Sequence, residues 1–214
     1  MRPGAVLFDC DGVVVDSEHQ MLAMLREDLA AHGLPLRMDE IERDYIGITV
    51  EVLAERAAAQ GARLPEGWVG DFYARMYDLL RADVALVPGI LDVLEALEKA
   101  GIPFAMGSNG TEEKMQITLG QHGLVERFRG HLYSGQALGR PKPAPDLYLY
   151  AAARLGVEPG RCVVIEDSAA GARAARLAGM RCLGYAPKGA HPGLEAEGAI
   201  LFDAMVKVPA LLGL

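Results

Sequence analysis

The run Val6-Leu7-Phe8-Asp9-Cys10-Asp11-Gly12 carries an apolar stretch straight into two aspartates one residue apart, followed at once by glycine. An apolar run of this kind reads as a core strand, so both carboxylates fall at its end. Buried charge there is costly unless a cation or strong donors compensate it. The chemistry that such a pair suggests is metal-assisted phosphoryl transfer. Three further groups could join it: Ser108-Asn109-Gly110, Lys142 fixed between Pro141 and Pro143, and Glu166-Asp167. Taken singly each has a plain alternative, because Asp-x-Asp and Glu-Asp are common in caps and loops and Ser-Asn-Gly is a common turn. Together they mark four separate edges of one architecture, and chance would have to supply all four.

The elements that must position these groups follow from periodicity. Apolar runs of strand length occur at Ala5 to Phe8, Pro103 to Met106, Cys162 to Ile165, Arg181 to Gly184 and Ala199 to Leu201. Helix-period segments lie between them at Gly89 to Ala100, Thr111 to His122, Asp146 to Leu155 and Ala169 to Ala178, the last closed by Gly179. Strands alternating with helices predict an α/β fold with a parallel sheet, and ligands of such sheets bind beyond the carboxyl ends of the strands. The polar groups fall there. The alternation breaks from Glu18 to about Val84, which reads as helix after helix with stripes at Leu22, Leu25 and Leu29, at Val50, Leu53 and Ala57, and at Phe72, Met76 and Leu80. The expected organisation is a core formed by residues 1–15 and 86–214, with a helical cap at 16–85 over the two aspartates.

Composition narrows the function further. The chain has 214 residues, is 51% apolar and carries a net charge of -8, with no lysine or arginine run that could track a nucleic-acid backbone. No apolar stretch approaches a membrane span, and Cys10, Cys162 and Cys182 match no zinc spacing and lie in apolar surroundings. The expectation is a cytoplasmic monomer acting on a small molecule, with no nucleic-acid or membrane partner.

The four groups together resemble the haloacid dehalogenase superfamily of phosphatases. Asp9-Cys10-Asp11-Gly12 stands as the first motif, Ser108 as the second, Lys142 as the third and Glu166-Asp167 as the fourth. The helical insertion is similar to that of the subfamily containing β-phosphoglucomutase and small sugar-phosphate phosphatases. The resemblance implies a Rossmann-like parallel-sheet core with an inserted helical cap. It implies Asp9 as the nucleophile that forms an aspartyl-phosphate, and Asp11 as general acid and then base. Mg²⁺ would be held by Asp9, the Asp11 backbone carbonyl, Asp167 and Glu166. Ser108 and Lys142 would bind the transferring phosphoryl group, aided by donors near Asn109. Gly47, within Tyr45-Ile46-Gly47-Ile48-Thr49, would face the substrate from the cap. Asp11 itself argues against dehalogenation, which needs no acid for a halide leaving group.

The implied function is Mg²⁺-dependent hydrolysis of a small phosphate monoester, a sugar phosphate in particular. Two alternatives are a β-phosphoglucomutase-type mutase and a non-catalytic binding protein on the same fold. The mutase reading is weakened because β-phosphoglucomutase carries an arginine just beyond the cap glycine, where this chain has Ile48, Thr49, Val50 and Glu51, although Arg43 or Arg75 could supply the charge. A finer similarity, through Ser108-Asn109-Gly110, Lys114-Met115 and Tyr133-Ser134-Gly135, is to bacterial phosphatases acting on 6-phosphogluconate. Electrostatically, four carboxylates against Lys142 predict that crowding keeps a proton on Asp11. Asp16 is expected either to orient Asp11 or to cap the first cap helix.

Overall fold

Ala5-Val6-Leu7-Phe8 is apolar at every position because it is buried on both faces. Val6 and Phe8 enter one core cluster and Ala5 and Leu7 the other. This strand, β1 (Ala5–Phe8), lies inside the sheet of a computed structural model that describes residues 2–46 and 48–214. The expectation for Gly47 therefore lies outside the described residues. The remaining strands are β2 (Val15–Asp16), β3 (Ala85–Leu86), β4 (Phe104–Ser108), β5 (Leu132–Ser134), β6 (Cys162–Glu166), β7 (Arg181–Tyr185) and β8 (Ile200–Phe202). The α-helices are α1 (Glu18–Ala31), α2 (Met38–Tyr45), α3 (Val50–Ala59), α4 (Trp68–Ala82), α5 (Ile90–Ala100), α6 (Glu112–Gly120), α7 (Leu124–Arg127), α8 (Asp146–Leu155), α9 (Ala169–Leu177), α10 (Pro192–Ala196) and α11 (Val208–Leu212).

Six strands form one parallel sheet in the order β5-β4-β1-β6-β7-β8, which is the Rossmann-like α/β architecture expected. Phe8 pairs with Met106 on one side and Ile165 on the other, so the ends of β1, β4 and β6 come level. β4 runs two residues beyond its last large apolar side chain, because Gly107 and Ser108 pair with Tyr133 and Ser134 of β5. An apolar-run reading stops at Met106 and misses the three-residue β5 altogether.

A two-residue antiparallel ribbon, Val15 with Leu86 and Asp16 with Ala85, stands where the chain leaves the sheet and returns to it. Between its strands come α1 to α4, in which α1 packs on α2 and α4, and α3 packs on α4. Their stripes are buried as expected at Leu25, Leu29, Leu53, Ala57, Phe72, Met76 and Leu80. One buried polar residue joins them. Asp28 accepts from Trp68 Nε1 at 2.6 Å and Arg75 Nη1 at 2.6 Å, tying α1 to α4. The C-terminal half of α4 is in turn fixed to the sheet side, where Gln121 Nε2 donates to Leu80 O at 2.6 Å and Tyr77 Oη meets Thr111 Oγ1 at 2.6 Å.

Candidate active site

The end of β1 delivers Asp9 between its neighbours, with its N–H still donating to Ile165 O at 2.9 Å and its side chain almost wholly buried. Gly12 then turns the chain at φ +77°, and a β-carbon there would overlap Asp167 Oδ2. Glycine is required both for the conformation and for the close approach of β1's tip to the end of β6.

Lys142 is brought to the same point by its backbone. Asn109 accepts from Lys142 N at 2.7 Å and donates to Lys142 O at 3.0 Å, so the Asn109 amide clamps the loop that carries the lysine. The Lys142 ammonium donates to Asp9 Oδ1 and, at 2.6 Å, to Glu166 Oε1. Ser108 is buried beside them and accepts from Gly110 N at 2.9 Å.

Glu166 is fully buried and saturated with donors. Oε1 accepts from Lys142 and from Tyr148 Oη at 2.8 Å, while Oε2 accepts from the N–H groups of Asp167 and Ser168 at 3.1 and 3.0 Å and from Ser168 Oγ at 2.9 Å. Burial would raise its pKa, but Lys142 and these donors hold it below the usual carboxylate value. Gly171 makes room, because a β-carbon there would overlap the Glu166 carboxylate.

Asp11 has a different set of partners. Lys114 Nζ lies 2.7 Å from Asp11 Oδ1, and Ser17 Oγ donates to the same oxygen. Desolvation pushes the Asp11 pKa up, yet Lys114 and Ser17 outweigh it and the net direction is down. The expectation that crowding keeps Asp11 protonated therefore fails for the resting site, since a second lysine absent from that reckoning compensates it. The carboxyl that burial does raise is Asp9, to about 7, with Glu166 and Asp11 adding to burial against Lys142. Ser17 also takes the role considered for Asp16, which is exposed on the β2 ribbon.

Asp9, Glu166 and Asp167 offer carboxylate oxygens within 4.8 Å of one another, close enough to hold a metal ion. The raised Asp9 pKa points the same way: this buried group of acids is under-compensated by Lys142 alone, and an added cation would restore the balance. Asp9, Asp11, Asp167, Ser108, Asn109, Lys114 and Lys142 line the floor of a cleft of about 940 Å³ that includes its open mouth. Its opposite wall comes from α1, α3, α4, Tyr45 at the end of α2, and Ile46 and Ile48. Neither Arg43 nor Arg75 lines it. Arg43 forks onto Asp44 at 2.8 and 2.7 Å, and Arg75 pairs with Asp28. Lys114, Ser17 and Tyr148 are the residues that sequence reasoning did not assign to the site.

Comparison with known proteins agrees with this geometry. The family model for haloacid dehalogenase-like hydrolases matches residues 3–179. The chain is 35% identical over 179 residues to a phosphoglycolate phosphatase of Xanthomonas campestris pv. campestris, covering 83% of this chain and 80% of that protein. It is 32% identical over 191 residues to the 6-phosphogluconate phosphatase of Escherichia coli K12, covering 84% and 80%. Among solved structures, a haloacid dehalogenase-family hydrolase from Deinococcus radiodurans R1 with bound phosphate and sodium superposes with a TM-score of 0.79 at 35% identity, covering 99% of this chain and 96% of that one. With the family model matching most of its length and phosphatases among its relatives, the chain belongs to the haloacid dehalogenase-like hydrolases, as one of their phosphatases.

Proposed function

We propose that this protein is a Mg²⁺-dependent phosphatase of small sugar phosphates, working through an aspartyl-phosphate at Asp9. The observation that carries the reading is the junction of Asp9, Glu166 and Asp167 with Lys142 at the carboxyl end of the parallel sheet. The names of the two bacterial relatives, each a phosphatase of a small phosphorylated acid, support the substrate size.

Asp9 and Asp167, with the Asp11 carbonyl, would hold the magnesium. Glu166 already accepts from five donors, which favours it as the anchor of Lys142 and of the loop that presents Asp167, with any contact to the metal made through water. When bound, Mg²⁺ supplies Lewis-acid neutralisation of the phosphoryl oxygens. A carboxylate oxygen of Asp9 attacks phosphorus, the bond from phosphorus to the leaving oxygen breaks, and Asp11, ionised in the resting site and taking up a proton from solvent when the anionic phosphate binds beside it, passes that proton to the leaving oxygen. Water then attacks the phosphorus, Asp11 takes back a proton, and the bond to Asp9 breaks. Lys142, Ser108 and main-chain N–H groups would orient and stabilise the transferring group.

Residues 16–85 would act as the cap and residues 1–15 and 86–214 as the core, with the Val15–Leu86 ribbon as the hinge. The three free, buried cysteines support a reducing, cytoplasmic setting. The mutase reading is disfavoured because both candidate arginines are paired away from the cleft, and the intact constellation weighs against a silent binding protein.

The test is release of inorganic phosphate from a panel of sugar phosphates and p-nitrophenyl phosphate. Activity lost with chelator and with Asp9→Asn is the expected result. No release from any ester in the presence of Mg²⁺ would refute the reading.

A further inference from the structure

The cleft is electrically one-sided. Its charged lining residues, Asp9, Asp11, Asp167, Lys114 and Lys142, all belong to the sheet side, whereas Leu22, Leu25, Ile46, Ile48, Leu53 and Met76 make much of the opposite wall. Among the described residues, no lysine, arginine or histidine lines that wall. The helices are not short of cations, but three of their arginines are committed elsewhere. Arg43 forks onto Asp44, Arg56 donates to the Asp44 carbonyl, and Arg75 pairs with Asp28.

The two lysines of the floor are not free to replace them. Both are buried; Lys142 holds Asp9 and Glu166, and Lys114 holds Asp11. A leaving group that claimed Lys114 would have to displace Asp11 from it. A charge standing behind the far wall has the wrong sign: Glu51 accepts from Tyr73 Oη at 3.2 Å, and Tyr73 lines the cleft. A carboxylate or second phosphate carried into this space would lose its water against apolar side chains and find no counter-charge. The C–H faces of a neutral sugar would instead meet Phe72, Met76 and Leu53 without that penalty.

On the phosphatase reading above, on which this rests, we infer that the substrate is the monophosphate of a neutral sugar or polyol, with no ionised group on the leaving alcohol. The substrates named for the two relatives both carry a carboxylate. This chain parts from them at its helical wall.

Matched pairs test the inference: sorbitol 6-phosphate against 6-phosphogluconate, and 2-hydroxyethyl phosphate against 2-phosphoglycolate, with p-nitrophenyl phosphate as reference and Mg²⁺ saturating. The neutral member of each pair is expected to show kcat/KM about tenfold or more above its partner. A cation placed on the wall by Ile48→Lys should narrow or reverse that ratio, chiefly by lowering KM for the carboxylated member. Equal or better turnover of the carboxylated esters overturns the inference, as does an unchanged ratio in a folded Ile48→Lys variant. Hydrolysis of p-nitrophenyl phosphate but of neither neutral ester overturns it while sparing the phosphatase reading. Hydrolysis of nothing defeats that reading, and the inference with it.

Discussion

Lys114 holds Asp11 at 2.7 Å while Lys142 holds Asp9, so each aspartate of the pair has a lysine of its own. The pairing divides the two carboxylates chemically. Lys142 is shared with Glu166, and burial leaves the Asp9 carboxyl raised despite it. Asp11 has Lys114 and Ser17 to itself, and they hold its carboxyl below the usual carboxylate value, as the base of the proposed second half-reaction would need.

Replacing Lys114 by methionine should therefore shift the pH profile. Without the ammonium, desolvation dominates at Asp11 and its pKa rises, so the acid limb of kcat moves to higher pH. A shift of one unit would lower activity on that limb about tenfold. Steady-state rates across the acidic range check it, and an unmoved limb would mean that Lys114 does not set the Asp11 proton affinity.

The chelated protein should lose stability as pH rises through the Asp9 transition. Its carboxyl is raised from 3.8 to about 7, so the unfolded chain releases this proton first and the folded state is penalised progressively between those two values. Asp11 and Glu166 are shifted the other way, and their contribution is lost only on the acid side of the ordinary carboxylate value. Urea unfolding at about pH 4 and about pH 7.5 should show a fall in the wild type and a smaller one in Asp9→Asn. Adding Mg²⁺ should restore stability at the higher pH, because the cation binds the ionised form.

Two glycines should resist even alanine. Gly12→Ala would press a methyl group into Asp167 and strain a left-handed residue, raising the Mg²⁺ concentration for half-maximal activity by about tenfold. Gly171→Ala would strike the Glu166 carboxylate and disturb its bonds to Lys142, Tyr148 and Ser168, costing about 2 kcal/mol or more of stability as well as activity. Metal titration of activity and chemical denaturation distinguish the two effects.

Asp28→Ala should destabilise the helical region without touching the floor of the cleft. It would leave the buried Trp68 indole N–H unpaired and remove the partner of Arg75, for a loss of about 2–4 kcal/mol in urea unfolding.

One more contact bears on closure. Gln136 Nε2, in the turn after β5, donates to Glu51 Oε1 at 2.7 Å, and Tyr73 Oη donates to the same carboxylate. Gln136→Ala should raise KM severalfold with little change in unfolding free energy, because it loosens the helical wall over the cleft rather than the core. Equal KM values for variant and wild type would remove Gln136 from that role.

The parts legible in the sequence were those written in long signals. β1 and β6 announce themselves as continuous apolar runs, α8 by its period, and the acids by standing where such runs end. β5 and the Val15–Leu86 ribbon are too short for any period to register, and only their pairing partners reveal them. Lys114 enters the sequence reading only through a family similarity, with no role in the site assigned to it. The signal that places it inward is its spacing of four from Thr118, which donates back to Lys114 O at 3.0 Å on the buried face of α6. Asp28 gave a similar hint, a charge set between Leu25 and Leu29 on an otherwise apolar stripe. In both cases the compensating partner is distant in sequence, so the spacing shows an inward charge without showing what neutralises it.

The central claim is that Asp9 carries the phosphoryl group, and acid-quenched single turnover tests it most directly. With Mg²⁺ and a hydrolysed ester, mass spectrometry of the rapidly quenched protein should find one phosphoryl group on the peptide containing Asp9, and none in Asp9→Asn. A phosphoryl group on another residue, or full phosphate release by Asp9→Asn, would contradict the account.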